Sequence, residues 1–96
     1  MILGIYGAGG LGREVLIIAK KINAIEKRWE QIVFVHDFDA EETVSGVPVL
    51  PFDKIKDHFQ KIELTIAVGE PIAREKLYNK VKEKGFKLAT LIHPGV

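Results

Sequence analysis

The chain has 96 residues, of which 47% are hydrophobic, and its 14 Lys and Arg nearly balance its 13 Asp and Glu. We expect one small domain over residues 1–96 with a single core, and a net charge of +1 gives no electrostatic reason to expect a nucleic-acid partner. The lack of cysteine excludes a disulfide framework, a thiolate nucleophile and a cysteine-based metal site.

The N-terminal half predicts a strand, a helix and a second strand. Residues 1–6 (MILGIY) are almost wholly apolar, which is typical of a parallel strand buried on both faces. Apolar residues then recur at three- and four-residue spacing from Val15 to Ile25, so a helix is expected with one side facing a sheet. The segment QIVFVHDFD is β-branched and aromatic up to Val35, and predicts a strand that ends near His36.

The middle of the chain predicts less regular structure. Residues 40–50 (AEETVSGVPVL) indicate an exposed irregular loop with a short extended VPV segment, because Pro48 disfavours helix at Val47. The following segment, PFDKIKDHF, predicts a brief helix over residues 51–59.

The C-terminal part returns to strand and helix. IELTIAVGE predicts a third strand ending at Gly69, Pro71 suits the first turn of a helix, and Gly85 is expected to stop that helix. FKLATLI predicts a fourth strand. Four strands separated by helical connections imply right-handed crossovers. The expected fold class is therefore α/β: a small Rossmann-like doubly wound parallel sheet of about four strands, with helices on both faces.

A glycine-rich segment follows the first predicted strand, which is the expected switch point of the sheet, where ligands bind in this fold class. Residues 7–12 satisfy G-x-G-x-x-G between a strand and an amphipathic helix. Glycine permits a tight turn and close ligand approach, and free N–H groups at the helix start favour a phosphate. We predict a phosphate-bearing ligand rather than a purely structural turn. The predicted binding residues are Gly7, Ala8, Gly9, Gly10, Leu11 and Gly12.

Asp37 follows the second predicted strand, where NAD-binding versions of this fold place an acid against the adenosine ribose. Turn chemistry explains an acid there equally well, and it is the preferred explanation for Asp39. His36 and these acids match no metal-ligand spacing, and no catalytic constellation is recognisable, so we expect neither a metal site nor a catalytic residue in this chain. Acid interrupts the lysines of KVKEKGFK, which favours a solvated helix face.

Five segments in order, GIYGAGGLGREV, WEQIVFVHDFD, GVPVL, AVGEPIAREKL and FKLATLIHPGV, resemble the N-terminal domain of bacterial sugar acetyltransferases, and together they cover essentially the whole chain. These are the sialic-acid O-acetyltransferases and the bacillosamine-pathway amino-sugar N-acetyltransferases. In that family a Rossmann-like domain binds the nucleotide of the sugar substrate. A left-handed β-helix of hexapeptide repeats then trimerises, binds acetyl-CoA and supplies the catalytic histidine.

The resemblance implies roles for individual residues. The loop of residues 7–12 would hold the nucleotide's phosphates and Asp37 would lie on the uridine side of the pocket. Gly69 would lie beside the same cleft, and Arg74 matches an arginine that recurs early in the next helix. His93 stands where the family's β-helix begins, so it is expected to mark a hinge rather than the catalytic base.

The sequence departs from the family pattern at Glu70, where an asparagine is frequent. A carboxylate beside a bound diphosphate repels it unless a base such as Arg74 offsets the charge. The acceptor is therefore a nucleotide sugar or, as an alternative, free sialic acid or another acyl acceptor.

The expected function is substrate binding within an acetyl-CoA-dependent sugar O- or N-acetyltransferase. This domain would bind no cofactor, show no acetyltransferase activity alone, and act with its own C-terminal β-helix domain in a homotrimer. Because no basic segment precedes the N-terminal apolar run and no run approaches the roughly 20 residues that a bilayer requires, we expect a cytoplasmic protein without a membrane partner. Two alternatives remain: the nucleotide-binding half of an NAD-linked oxidoreductase, and a non-catalytic assembly or regulatory module.

Overall fold

The computed structural model describes residues 1–7, 10–37, 43–44, 46–55, 60–89 and 91. Its elements are β1 (Ile2–Tyr6), α1 (Gly10–Glu26), β2 (Gln31–His36), β3 (Thr43–Val44), β4 (Val47–Pro51), a 3-10 turn (Phe52–Lys54), β5 (Ile62–Ile66), α2 (Pro71–Glu83) and β6 (Lys87–Leu88). Within this part of the chain the strands form one sheet in the order β3-β4-β2-β1-β5-β6. All neighbouring strands are parallel except β3 and β4, which are antiparallel.

β1 lies at the centre of the sheet, and all five of its residues are buried. It pairs in parallel with β2 on one side and with β5 on the other. The chain passes through α1 to reach β2 and later returns to the opposite side of β1 to form β5. The strand order therefore reverses at β1, and the carboxyl end of β1 is the switch point where this fold class binds ligands.

The two described helices cover opposite faces of the sheet, where each packs against one of the two sets of alternating strand side chains. On one face, Leu16 and Ile22 of α1 pack in a cluster with Leu3 and Phe34. On the other face, Val81 of α2 belongs to a second cluster. Its strand members include Ile2, Tyr6, Val33, Val35 and Leu64. The predicted α/β class, with a mainly parallel sheet and helices on both faces, is confirmed.

In the part of the chain that the structure describes, the sheet has six strands, two more than the four predicted. The short extended VPV segment predicted after the loop is part of strand β4, which continues to Pro51 and pairs in parallel with β2, from Val49 opposite Phe34 to Pro51 opposite His36. The sequence gives only a weak strand signal here because the strand contains two prolines, and each proline lacks the N–H that would donate a hydrogen bond between strands. Packing outweighs that loss: Val47 is buried in the cluster beneath α1, and Leu50 packs against the opposite cluster.

Other predicted bounds hold to different degrees. α2 runs from Pro71 to Glu83. As expected, Gly85 stops the helix two residues later, with a φ of +80°. The amides of Gly85 and Phe86 donate to the carbonyls of Lys82 and Val81, the pairing of a Schellman cap. The brief helix is a 3-10 turn, and its predicted residues 56–59 lie outside the described residues.

One charged residue is buried among the described residues: Glu63 of β5, at 4% exposure. The indole nitrogen of Trp29 donates to its carboxylate over 2.6 Å, and the guanidinium of Arg28 approaches the same oxygen at 3.3 Å. A buried carboxylate is tolerated when it is paired and hydrogen-bonded in this way. These contacts join the segment after α1 to β5.

No helix in the described part of the chain combines the length and apolar character that crossing a bilayer requires.

Candidate functional site

The turn that leaves β1 depends on glycine at its first position. Gly7 has φ of +118°, a conformation that residues with a Cβ rarely adopt. A Cβ at this position would lie 2.8 Å from the carbonyl oxygen of Ala67. The amide of Gly7 donates to the carbonyl of Val35, at 3.1 Å. The turn is therefore fixed between the ends of β2 and β5.

The other glycines of the segment have different surroundings. A Cβ on Gly12 would lie 2.0 Å from the carbonyl oxygen of Gly7, so α1 can reach the end of β1 only because this side chain is absent. Among the described residues, a Cβ on Gly10 would meet no atom outside its own stretch of chain within 4 Å. Gly12 thus has a packing role, whereas Gly10 faces open space at the start of α1. Ala8 and Gly9 lie outside the described residues.

The segment after β5 lies beside the first turn of α1. A Cβ built on Gly69 would lie 3.8 Å from Cδ2 of Leu11. The first four N–H groups of an α-helix have no partner within the helix, and the first turn of α1 contains no acidic residue. Gly69 and the start of α1 therefore lie next to each other at the carboxyl-end edge of the sheet.

A cleft of about 170 Å³ opens at this edge. It is lined by Tyr6, Gly7, Val35, His36, Asp37, Val68 and Leu77. The structure thus places two predicted site residues, Gly7 and Asp37, on the same cleft, with apolar side chains forming much of its remaining wall.

Asp37 is part of a hydrogen-bonded cluster with Tyr6 and Lys80. Nζ of Lys80 donates to Oδ1 of Asp37 over 2.6 Å and to the hydroxyl of Tyr6 over 3.1 Å. The Tyr6 hydroxyl donates to the same Oδ1 atom. Lys80 also lies 4.7 Å from the ring centroid of Phe52, which stacks on Tyr6. We refer to these three polar residues as the Tyr6–Asp37–Lys80 cluster.

The cluster changes the protonation behaviour of its members. Burial acts to raise the pKa of the Asp37 carboxyl, but the hydrogen bonds from Lys80 and Tyr6, with the charge of Lys80 and the proximity of His36, outweigh it and lower that pKa. Burial, followed by the hydrogen bond to Asp37, raises the pKa of the Tyr6 hydroxyl to about 12. The hydrogen bond to Asp37 raises the pKa of Lys80. Near neutral pH the cluster therefore holds one carboxylate, one ammonium and a neutral phenol.

Lys80 is the residue that sequence reasoning missed, because the KVKEKGFK run is predicted as a solvated helix face. The helical spacing held a signal: Lys80 follows Leu77 by three residues and precedes Val81, so it belongs to the side of α2 that faces the sheet. Its ammonium group reaches Asp37, the residue after β2, as a long flexible side chain allows.

Arg74 lies in a neighbouring cleft rather than in the one that Asp37 lines. This second cleft, of about 320 Å³, lies between α2 and the β5 and β6 strands. Its lining includes Thr65, Ile66, Arg74, Tyr78, Leu88 and Ala89. The structure therefore does not bring Arg74 onto the wall that carries Gly7 and Asp37.

Glu70 caps α2. Its carboxylate accepts hydrogen bonds from the amides of Ile72 and Ala73, at 3.1 and 2.6 Å. An acid is favourable here because it satisfies free N–H groups and lies at the positive end of the helix dipole. The carboxylate that interrupts the sequence resemblance is thus directed at its own helix.

The described residues offer no group of three or more acidic or histidine side chains that could hold a metal ion. Asp39, His58 and His93 lie outside that part of the chain.

Comparison with known proteins gives a consistent set of matches. Residues 2–81 match the family described as the PglD N-terminal domain. The acetyltransferase domain of PglB from Neisseria gonorrhoeae, solved also with acetyl coenzyme A, is 30% identical with a TM-score of 0.80, over 97% of this chain and 44% of that chain. WeeI from Acinetobacter baumannii is 31% identical, with a TM-score of 0.81, over 98% of this chain and 44% of that chain.

A further solved protein is PerB from Caulobacter crescentus, in complex with CoA and GDP-perosamine. It is 28% identical, with a TM-score of 0.69, over 98% of this chain and 43% of that chain. The present chain therefore spans less than half the length of the solved proteins that it matches.

Proposed function

The chain belongs to the PglD N-terminal domain family, and from this premise we propose that it is the substrate-binding domain of an acetyl-CoA-dependent sugar acetyltransferase. Its ligand in this proposal is a nucleotide-linked sugar, with free sialic acid as the alternative acceptor. A C-terminal β-helix domain of the full-length protein supplies the acetyl-CoA site, the catalytic histidine and the trimer contacts. The 96-residue domain itself binds no cofactor in this proposal.

The observation that carries the proposal is the edge formed by the glycine turn and the cleft beside it. Gly12 lets α1 begin directly against the end of β1, and Gly10 leaves open space where a ligand can approach that helix start. A diphosphate fits there because the free N–H groups and the helix dipole favour an anion. Asp37 lies on the adjoining cleft, within reach of the same ligand.

The two helices differ in their capacity to take that anion. At the start of α2, the carboxylate of Glu70 already accepts hydrogen bonds from two of the free N–H groups. The first turn of α1 carries no acid. The diphosphate therefore belongs at α1, and the repulsion expected from Glu70 is reduced because its charge is used in capping.

The ligands named for the similar solved proteins also support a nucleotide-linked sugar as the ligand. The PerB structure contains CoA and GDP-perosamine, and the PglB domain was solved with acetyl coenzyme A. We carry over to this chain the class of ligand, a nucleotide-linked sugar, and the class of donor for the full-length enzyme, acetyl-CoA.

Calorimetric titration of the 96-residue chain tests the proposal. The ligands are UDP, a UDP-linked amino sugar, GDP-perosamine, free sialic acid and NAD, and each is also titrated into Gly10→Val. Because no atom lies within 4 Å of a Cβ at Gly10, this variant should fold while obstructing the ligand, and its thermal unfolding is measured as the control.

Saturable binding of a nucleotide sugar that is lost in Gly10→Val supports the proposal. Binding of NAD alone contradicts the proposal and favours the alternative that the domain is half of an NAD-linked oxidoreductase. Binding of sialic acid alone corrects the substrate class. No binding to the folded wild-type chain overturns a binding role for the isolated domain and favours an assembly module.

A further inference from the structure

α1 carries large apolar side chains that its contact with the sheet does not bury. Leu11 is 41% exposed and Ile25 is 70% exposed. Single exposed apolar residues are normal on a protein surface, but a continuous row of them marks an interaction surface. The residues that α1 does bury lie on another side of the helix: Gly12, Leu16, Ala19 and Ile22.

The exposed residues belong to one row along the helix. Side chains three and four positions apart lie on the same helix face, and the positions 11, 14, 18, 21 and 25 keep that spacing over most of α1. Ile18 is half-buried, and its neighbours in the row, Glu14 and Lys21, are exposed. The same spacing occurs at the contact faces of paired helices. We call Leu11, Glu14, Ile18, Lys21 and Ile25 the α1 row.

The two charges of the α1 row lack partners of opposite sign on their own helix. No position three or four residues away from Glu14 or Lys21 carries a charged side chain. The two residues are seven positions apart, which is about 10 Å along the helix, so they do not pair with each other. Among the described residues, neither side chain forms an ion pair. Both charges are therefore available to another molecule.

The α1 row is complementary to its own reverse. Read from either end, it has apolar residues at the first, middle and last positions, and reversal exchanges its acid with its base. Two copies of α1 packed antiparallel about Ile18 therefore bring Leu11 onto Ile25 of the second copy. They also bring Glu14 beside Lys21 of the second copy, twice. A two-fold interface requires such a self-complementary patch, whereas a parallel pair would place like charges together.

We propose that the α1 row is a docking surface for a second copy of this chain, with two α1 helices antiparallel across a two-fold axis at Ile18. The net charge of +1 gives little repulsion between copies. One face of a 17-residue helix, about 25 Å long, is at the small end of specific interfaces. The dimer is therefore weak and depends on concentration. The inference is independent of the proposed function, because no ligand takes part in the contact.

Sedimentation velocity of the 96-residue chain between about 10 µM and about 1 mM tests the inference, since a weak dimer dissociates within this range. The wild-type chain should pass from monomer to dimer. Ile25→Gln should raise the dissociation constant about tenfold or more, because each dimer loses two apolar contacts. Ile72→Gln is the matched control: Ile72 is 65% exposed on α2, outside the α1 row, and its replacement should leave the dissociation constant unchanged. Thermal unfolding verifies that both variants fold.

Exchange of the charges tests the antiparallel arrangement. Glu14→Lys and Lys21→Glu each place like charges together in a dimer, so each variant alone should associate several-fold more weakly than the wild type. An equimolar mixture of the two variants restores both opposite-charge pairs and should recover association close to that of the wild type. Lys20→Glu makes the same charge change as Lys21→Glu on a different side of α1, and should leave the dissociation constant unchanged.

The results distinguish a second copy from any other occupant of the α1 row. A chain that stays monomeric throughout the range overturns the inference, and the row is then open to the remaining part of the full-length protein. A dimer that Ile25→Gln does not weaken, or charge variants that do not associate when mixed, also overturn it. Nucleotide-sugar binding by a monomeric chain would leave the proposed function standing while this inference fails.

Discussion

At the residue scale, the glycines of one motif differ in what a side chain would meet. Gly7 has a backbone conformation that favours glycine, a Cβ on Gly12 would collide with the backbone of Gly7, and a Cβ on Gly10 would meet no described atom within 4 Å. In the G-x-G-x-x-G motif the third glycine is expected to let the helix pack closely against the sheet, and the distance from a Cβ on Gly12 to the Gly7 carbonyl oxygen agrees with that role.

Gly12→Ala should destabilise the fold, because its Cβ would lie 2.0 Å from the Gly7 carbonyl oxygen and the backbone must move. We expect a loss of at least about 2 kcal/mol in the free energy of unfolding, measured by urea denaturation. Gly10→Ala is the control and should be neutral or slightly stabilising, since alanine has the better helix propensity. Equal midpoints for Gly12→Ala and the wild type would contradict the packing role.

Asp37 should make stability depend on pH in the acid range. Its pKa in the folded chain lies below the ordinary 3.8. The unfolded chain therefore binds a proton more readily, so the stabilisation is present above about pH 4 and is lost as pH falls through the folded pKa. Thermal unfolding of Asp37→Asn and the wild type between pH 2 and 6 measures this, and the two should differ most at the upper end. Parallel curves would exclude a role for this carboxylate.

At the scale of the elements, the spacing of apolar residues predicts a helix or strand correctly where no proline contradicts it. The apolar spacing of α1, the Pro and Gly signals around α2, and the apolar runs of β1 and β2 predict what the structure shows. The strand predicted to end at Gly69 ends at Ile66, and, among the described residues, the strand predicted over FKLATLI is only the two residues of β6. β4 is different because its prolines contradict its burial, and only pairing with β2 resolves the conflict.

The candidate site was predictable only in part for a related reason. Gly7 and Asp37 each directly follow a strand, and neighbouring parallel strands bring their carboxyl ends together, so the local sequence pattern is enough to predict that they lie close. Lys80 reaches Asp37 from α2, at a separation of 43 residues. This contact depends on how α2 is rotated and shifted against the sheet, which the order of elements does not determine.

The N-cap of α2 supplies a test at this scale. Glu70→Ala removes the acceptor of two amide hydrogen bonds, and we expect a loss of about 0.5–2 kcal/mol in the free energy of unfolding, measured by urea denaturation. Glu70→Asn should lose much less, because asparagine is a preferred cap residue. If Glu70→Asn is as damaging as Glu70→Ala, the carboxylate acts in some way other than capping.

At the scale of the whole molecule, the proposed division of labour can be measured directly. The proposal assigns ligand binding to the described edge and acetyl transfer to another domain. The purified 96-residue chain should therefore release no coenzyme A above background from acetyl-CoA in the presence of UDP- or GDP-linked amino sugars. A thiol-detection assay follows this release, with a full-length acetyltransferase as the positive control. Turnover by the chain alone would contradict the division.

The outermost described strands, β3 and β6, are each two residues long. Open backbone N–H and C=O groups on a long edge strand invite another chain to add itself, which is a common route to aggregation. A pair of two-residue borders offers little length for such growth. We therefore expect neighbouring copies of this domain to resist joining through β3 or β6, even at high local concentration.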